Sequence, residues 1–243
     1  MSFKRLLVPF VAVAMVGSMV PAVVMADEVA QNDVAIVAVA DKAVLDAKTG
    51  SPEPYSGDCG KNLHFALQSD GTLLISGTGA MDNFGANKAP WAGYKDKITG
   101  IAFSGKCTSI GSYAFYGCKN LTSANIHTGI TSIGTGAFYG SGVTKVAGGA
   151  SLKTIGASAF KNTASLKTVT ITSKVLSKIG SQAFYGSALT KLSITKTTKL
   201  TKKGVKNSLK GSKIKTVDVN NSKKVTYGSY FVKSNSGKKV TVK

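Results

Sequence analysis

The chain reads Ile110-Gly111-Ser112-Tyr113-Ala114-Phe115, and the same Ile-Gly-x-x-Ala-Phe pattern returns three more times. The later copies occupy residues 133–138, 155–160 and 179–184, so successive copies begin 23, 22 and 24 residues apart. A fixed period of about 20–50 residues is typical of solenoids, in which each unit buries its apolar face against the next. The pattern predicts a solenoid whose core contains the Ile and Phe of every copy: Ile110, Phe115, Ile133, Phe138, Ile155, Phe160, Ile179 and Phe184.

A second pattern, apolar-x-x-apolar-x-apolar, lies between these corners. It occupies residues 121–126, 166–171 and 189–194, and weaker copies occupy 98–103, 143–148 and 214–219. Alternation over the last residues of each copy indicates a strand with one buried side. We therefore predict a mostly β (α+β) repeat solenoid, with one short parallel strand in each coil of about 23 residues.

The segments outside the coils predict the domain organisation. Residues 1–26 have the charged start, apolar run and small-residue cleavage site of a signal peptide, and residues 27–57 resemble a flexible linker. Residues 58–97 contain two apolar runs around Ser69-Asp70-Gly71-Thr72, which predicts a β-hairpin module capping the solenoid of residues 98–243. The signal predicts a secreted protein, extracellular or loosely associated with a cell surface, with no membrane span after cleavage.

The last coils depart from the pattern. Residues 203–209 occupy the position of a corner, with Leu209 in place of Phe. Residues 227–232 repeat the corner pattern in altered form. Val240 and Val242 follow Val217 and Val219 by 23 residues, which predicts a final strand in that register. Terminal repeats of solenoids are atypical because they close the core against water. We therefore expect a degenerate capping coil at this end.

Charge is distributed unevenly along the mature chain. Residues 27–144 carry 8 Lys and 10 acidic residues, whereas residues 145–243 carry 21 Lys and a single acid, Asp218. Such asymmetry favours a polyanionic partner. Arg5 is the only arginine and lies in the signal, so the mature chain lacks the planar fork that reads phosphates and base edges. Specific nucleic-acid recognition is therefore not expected.

The sequence offers little for catalysis or metal binding. His64 and His127 are the only histidines, and neither has a Cys or an acid nearby at metal-ligand spacing. We expect no enzyme activity, no metal and no cofactor. Cys107 and Cys118 fall within one coil, and the sequence leaves open whether they are bridged or are two small core residues.

Strand alternation predicts two candidate surfaces for a partner. Outward positions of the strands, with flanking lysines, give a small, hydroxylated and basic face. Its residues are Lys145, Lys167, Thr168, Thr170, Lys191, Ser193 and Lys215. The second candidate is a column of tyrosines that follow the corner phenylalanines, and exposed tyrosines can stack on sugars or anchor protein contacts. Its members are Tyr116, Tyr139 and Tyr185.

The corner-and-strand unit resembles the BspA-like bacterial leucine-rich repeat proteins. The run Cys59-Gly60-x-Asn62-Leu63, residues 71–81 and Ala89-Pro90-Trp91 are similar to the module that often precedes those repeats. The resemblance implies a secreted or surface-exposed protein, and some members of the family are adhesins. Two features depart from it: no wall-sorting tail is recognisable, and the last two coils lose the corner spelling.

Two functional hypotheses follow from these observations. The first is a secreted, non-catalytic binding or adhesion module whose basic half contacts anionic surfaces. Its partner would be a host or bacterial surface protein, an acidic glycan or a wall polymer. The alternative is a structural protein held on its own cell wall by electrostatic attraction. Release from the producing cells by salt, without binding to host matrix, would favour the alternative.

Overall fold

The computed structural model describes residues 55–233 and 240–243. The predicted signal peptide and residues 27–54 of the predicted linker lie outside the described residues. The first strand, β1 (Tyr55–Gly60), begins within the range assigned to the linker. No helix in the described ranges is long and apolar enough to cross a membrane.

An antiparallel meander forms the N-terminal module. Strand β1 pairs with β2 (Leu63–Leu67), and β2 pairs with β3 (Thr72–Ala80) across a tight turn. In the turn, Gly71 adopts a φ of +85° and Asp70 Oδ1 accepts a hydrogen bond from the Thr72 backbone N–H. Strand β3 then runs parallel to β4 (Gly100–Ile110) along its whole length. The hairpin is therefore continuous with the solenoid through its main-chain pairing.

The coils stack into two sheets. Sheet A has the order β1-β2-β3-β4-β6-β8-β10, and sheet B has the order β13-β12-β11-β9-β7-β5. The remaining strands are β5 (Ser123–Ile126), β6 (Ser132–Ile133), β7 (Lys145–Gly148), β8 (Thr154–Ile155), β9 (Thr168–Ile171), β10 (Lys178–Ile179), β11 (Lys191–Ile194), β12 (Thr216–Val219) and β13 (Thr241–Val242).

The prediction of one strand per coil is thus incomplete. Several coils carry a second strand of two residues, which ends on the corner Ile and pairs in parallel with its neighbours. The glycine that follows explains the close stacking at this point. A Cβ placed on Gly134 would lie 2.4 Å from the Ser112 backbone N, and one on Gly180 would lie 2.4 Å from the Ala157 N. A side chain there would push neighbouring coils apart.

The corner phenylalanines form the buried ladder that the pattern predicts. Rings of successive coils are stacked, with centroid separations of 5.1 Å for Phe115–Phe138, 5.2 Å for Phe138–Phe160 and 5.5 Å for Phe160–Phe184. The four phenylalanines and the four corner isoleucines are all buried. Trp91 continues the ladder at its N-terminal end, stacked 5.7 Å from Phe115, and its Nε1–H donates to the Ala114 carbonyl. These rings close the apolar end of the first coil.

Two columns of left-handed residues shape the corners. The first column occupies the second variable position of the Ile-Gly-x-x-Ala-Phe pattern. It contains Tyr113, Gly136, Ser158, Gln182 and Asn207, all with φ between 53° and 59°. The second lies four residues further on and contains Gly117, Gly140, Asn162, Gly186 and Gly211. Alternate N–H groups of the corner donate to the next coil, as from Tyr113 to the Thr135 carbonyl at 2.9 Å and from Phe115 to the Ala137 carbonyl at 2.7 Å. The corners of successive coils are thereby hydrogen-bonded to one another through their backbones, although they form no strand.

Small residues fill another buried column. Cys118, Ser141, Thr163 and Ser187 occupy equivalent positions, and Thr163 and Ser187 donate to the carbonyls of Phe160 and Phe184. The cysteines at 59, 107 and 118 are all free thiols and buried, so no Cys107–Cys118 bridge is present. Burial raises the pKa of the Cys59 and Cys118 thiols to about 12, which keeps both protonated at neutral pH.

The C-terminal cap differs from the expected coil in two ways. Residues 227–232 do not form a corner but lie in helix α1 (Lys224–Lys233). Tyr227 and Phe231, four residues apart on one helix face, are both buried, and the Tyr227 hydroxyl accepts a hydrogen bond from the Leu200 N–H at 3.1 Å. A helix satisfies most of its own backbone hydrogen bonds, so it depends less than a corner on pairing with a neighbouring coil.

The register of the last strand is also corrected. Val217 pairs with Val242, so the offset is 25 residues and not the 23 predicted from Val240 and Val217. A shift of two residues leaves each side chain on the same face of the strand. Alternation alone therefore could not distinguish the two registers.

Coil lengths vary in one place. From the first residue of a sheet-B strand to the left-handed corner residue, the chain advances 13, 13, 14 and 16 positions in successive coils. From that corner residue to the next sheet-B strand it advances only 9 or 10 positions. The connection that leaves sheet B absorbs the irregular period of the repeat.

Candidate functional site

The parallel register of sheet B aligns the outward positions of its strands in two columns. The first contains Ser123, Lys145, Thr168, Lys191 and Thr216, and the second contains Asn125, Ala147, Thr170, Ser193 and Asp218. The residues between them, such as Val146, Val169 and Leu192, are buried beneath the sheet. The structure thus brings Lys145, Thr168, Thr170, Lys191 and Ser193 onto one face. That this face binds a partner stays a prediction.

The flanking lysines lie beside the first column. The Lys167 N–H donates to the Thr144 carbonyl, and the Lys215 N–H donates to the Thr190 carbonyl, each at 2.8 Å. Lys167 and Lys215 therefore occupy one column and Lys145 and Lys191 the adjacent one, with one exposed lysine in each of four successive coils. Strands of a sheet are about 4.8 Å apart, so the charges follow one another at close spacing along the solenoid. We name Lys145, Lys167, Lys191 and Lys215 the sheet-B lysine strip.

One member of the strip has an acidic neighbour. Lys191 Nζ lies 2.6 Å from Asp218 Oδ2, and the Asp218 side chain is only 20% exposed. The pair is diagonal, because Lys191 is opposite Thr216 and Asp218 is opposite Ser193. Asp218 is the one acid after residue 96, so this pair offsets positive charge at the C-terminal end of the strip. The sequence placed both residues facing outward but did not reveal their contact, which depends on register.

The tyrosine column forms, but its rings face one another. Tyr116 and Tyr139 are stacked with centroids 5.2 Å apart, and the Lys161 Nζ lies 5.7 Å from the Tyr139 centroid and 4.9 Å from that of Tyr185. A Cβ on Gly211 would lie 2.1 Å from the Tyr185 ring, so that ring rests on the following coil. Sugar stacking needs an open ring face. The Tyr139 hydroxyl accepts a hydrogen bond from Asn162 Nδ2, whereas Tyr185 is 40% exposed. That this column binds a partner stays a prediction.

Ionisable groups suited to catalysis are scattered. Within residues 55–233 and 240–243, no three His, Cys, Asp or Glu side chains are close enough to hold a metal ion. His64 Nδ1 lies 2.6 Å from Asp58 Oδ1, with both side chains largely exposed on strands β1 and β2. His127 Nδ1 accepts a hydrogen bond from the Gly129 backbone N–H. These contacts account for the two histidines as surface and turn residues.

The comparisons with known proteins identify the repeats. Residues 92–210 match the family described as the BspA type leucine rich repeat region, in six copies. The repeat region of this chain belongs to that family, and the resemblance found in the sequence is confirmed. No curated protein matches the chain.

Two solved structures are similar to the chain. A leucine-rich repeat protein from Eubacterium ventriosum ATCC 27560 aligns with a TM-score of 0.58 and 24% identity, over 70% of this chain and 45% of that protein. The pneumococcal vaccine antigen PcpA aligns with a TM-score of 0.38 and 18% identity, over 69% of this chain and 50% of that protein. The first similarity supports the leucine-rich repeat fold. The chain spans less than half of the length of that structure.

Proposed function

We propose that the protein is a secreted, non-catalytic binding module, and that its sheet-B lysine strip holds an anionic polymer outside the cell or at its surface. The observation that carries the proposal is one exposed lysine per coil over four coils, with no acidic residue anywhere between Asp96 and Asp218. A linear polyanion lying along the solenoid axis would meet a lysine at each of these four coils. The polymer would be an acidic glycan or an anionic wall polymer.

The surroundings of the lysines suit a sugar-based polymer. Thr168, Thr170 and Ser193 stand beside the lysines on the outward face of the sheet. Their hydroxyls can donate and accept hydrogen bonds with sugar hydroxyls. No Trp, Tyr or Arg lies in the two columns of this face, so it lacks the side chains that dominate tight protein interfaces. This composition favours weak, multivalent contact with a charged chain over a tight protein complex.

The strip can be tested with two variants of equal charge. One carries Lys145→Gln, Lys167→Gln and Lys215→Gln; the control carries Lys174→Gln, Lys199→Gln and Lys210→Gln, which are exposed lysines outside the strip. Affinity for immobilised heparin and for teichoic acid would be measured at low and high NaCl. Exposed ion pairs contribute about 0.2–1 kcal/mol each, so we expect the strip variant to bind about tenfold more weakly at low salt. The control should retain most of the affinity.

The outcomes separate the competing models. Equal loss in both variants would show that attraction is diffuse and would overturn the strip. Affinity that does not fall with salt would contradict an electrostatic contact, since exposed charges are screened beyond about 8 Å at physiological ionic strength. Preference for teichoic acid over heparin would favour a structural protein on its own wall. The opposite preference would favour an adhesion module for acidic glycans.

A further inference from the structure

A second row of lysines lies on sheet A. Strand pairing aligns Ser132, Thr154 and Lys178 in one outward column. Lys153 precedes Thr154, and its carbonyl accepts a hydrogen bond from the Ser177 N–H at 2.9 Å. This arrangement repeats the pattern of sheet B, in which lysines occupy two adjacent columns in successive coils.

The next coil extends this row. The Ile179 N–H donates to the Gly204 carbonyl at 2.9 Å, and a Cβ on Gly204 would lie 3.4 Å from the Lys178 Cα. Gly204 therefore lies opposite Lys178, and Lys203, which immediately precedes Gly204, continues the column of Lys153 and Ser177 in the next coil. Lys153, Lys178 and Lys203 are all exposed. We name them the sheet-A lysine strip.

The two strips lie on different sheets that share one core. Ile133, Ile155 and Ile179 of sheet A and Val146, Val169 and Leu192 of sheet B are buried in one shared core. The outward side chains of each sheet project away from that core. Residues 97–217 contain no acid, and Asp218, which lies in the coil of Lys215, pairs with Lys191 of the sheet-B strip.

We propose that the protein crosslinks acidic glycan chains by binding one chain on each sheet. The inference rests on the proposed function, because it assumes that a lysine strip with neighbouring hydroxyls binds such a chain. Ser132, Thr154 and Ser177 supply hydroxyls beside the sheet-A strip as Thr168, Thr170 and Ser193 do on sheet B. Because the two strips lie on different sheets, we expect a short chain to occupy one of them at a time.

Stoichiometry tests the second site directly. A heparin oligosaccharide too short to pass around the solenoid would be titrated by calorimetry into the full chain at low salt. We expect two oligosaccharides per protomer for the unchanged protein. One should bind to the sheet-B variant (Lys145→Gln, Lys167→Gln, Lys215→Gln), and one to the sheet-A variant (Lys153→Gln, Lys178→Gln, Lys203→Gln). The control variant, with Lys174, Lys199 and Lys210 changed to Gln, should still bind two.

Crosslinking gives a second readout. Long heparin chains mixed with the unchanged protein or the control should form assemblies that scatter light, and both single-face variants should lose that scattering while still binding. Sedimentation of the free protein shows whether a dimer could supply the second contact. One oligosaccharide per protomer of the unchanged protein, or scattering that survives in the sheet-A variant, would overturn crosslinking and leave the sheet-B site intact. Binding of teichoic acid but not of heparin would overturn the crosslinking of acidic glycans alone, whereas binding of neither polymer would overturn the proposed function itself.

Discussion

Phe160 has an aromatic neighbour on each side in the corner ladder. Its ring is stacked between Phe138 and Phe184 and is fully buried. Phe160→Ala should lower the free energy of unfolding by about 3–5 kcal/mol, through lost burial and the cavity that remains. Leu209→Ala, at the last copy of the same position, should have a smaller effect because fewer coils continue beyond it. Urea denaturation would measure both variants, and equal midpoints would contradict this account.

The left-handed corners predict opposite effects for two small substitutions. Gly140 has a φ of 64° and space around it, with Lys119 Nζ the nearest atom to an added Cβ at 3.7 Å. Gly140→Ala should therefore destabilise the protein by about 1–2 kcal/mol through backbone strain alone. Ser158 has a φ of 53°, so Ser158→Gly removes such strain and should stabilise the protein by up to about 1 kcal/mol. Thermal unfolding of both variants measures the difference, and a shift in the same direction for both would rule out strain as the cause.

At the level of single elements, the C-terminal helix depends on one hydroxyl. Tyr227 is buried, and its oxygen is a hydrogen-bond acceptor for the Leu200 N–H. Tyr227→Phe keeps the ring but leaves that buried N–H without this acceptor, which should destabilise the cap by about 1–3 kcal/mol. Amide exchange at Leu200 and in helix α1 should accelerate. Val225 is 90% exposed on the same helix, so Val225→Ala should leave exchange unchanged; equal effects would exclude a specific role for the hydroxyl.

The elements show why some features were predictable and others were not. The corner Ile and Phe recur with fixed spacing, and a period of that length has few structural solutions, so the ladder could be predicted. Residues 227–232 resemble a corner in sequence, yet they form a helix. A short local resemblance therefore does not by itself determine which element a segment forms. The two-residue strands at the corners were missed because so short a run has no detectable alternation.

The same distinction applies to the candidate site. Outward positions of sheet B followed from alternation, so Lys145, Thr168 and Thr170 could be placed on one face. The Lys191–Asp218 contact could not, because a diagonal pair depends on the exact register between coils of unequal length. The stacking of Tyr116 on Tyr139 depends likewise on ring orientation, which spacing does not specify.

For the whole molecule, the uneven charge predicts an unusual response to salt. Residues 145–243 hold 21 Lys and one acid, so the folded C-terminal half brings like charges together. Screening should relieve this repulsion, so the midpoint of thermal unfolding should rise between 20 and 500 mM NaCl. The expected rise is about 2–4 °C for each kcal/mol by which the free energy of unfolding increases. The sheet-A variant should unfold at a higher temperature than the unchanged protein at 20 mM NaCl and respond less to added salt. A midpoint that falls with salt would mean that attractive pairs such as Lys191–Asp218 outweigh the repulsion.

The uneven length of the coils indicates where the chain tolerates inserted residues. Extra residues appear only where the chain leaves sheet B, as in the 172–177 connection, where Val175 is already 40% exposed. Stacking contacts at the corners and the pairing of the sheets are untouched by them. This edge is therefore where inserted residues would be tolerated. A foreign peptide could be grafted there for display without disturbing either face of the solenoid.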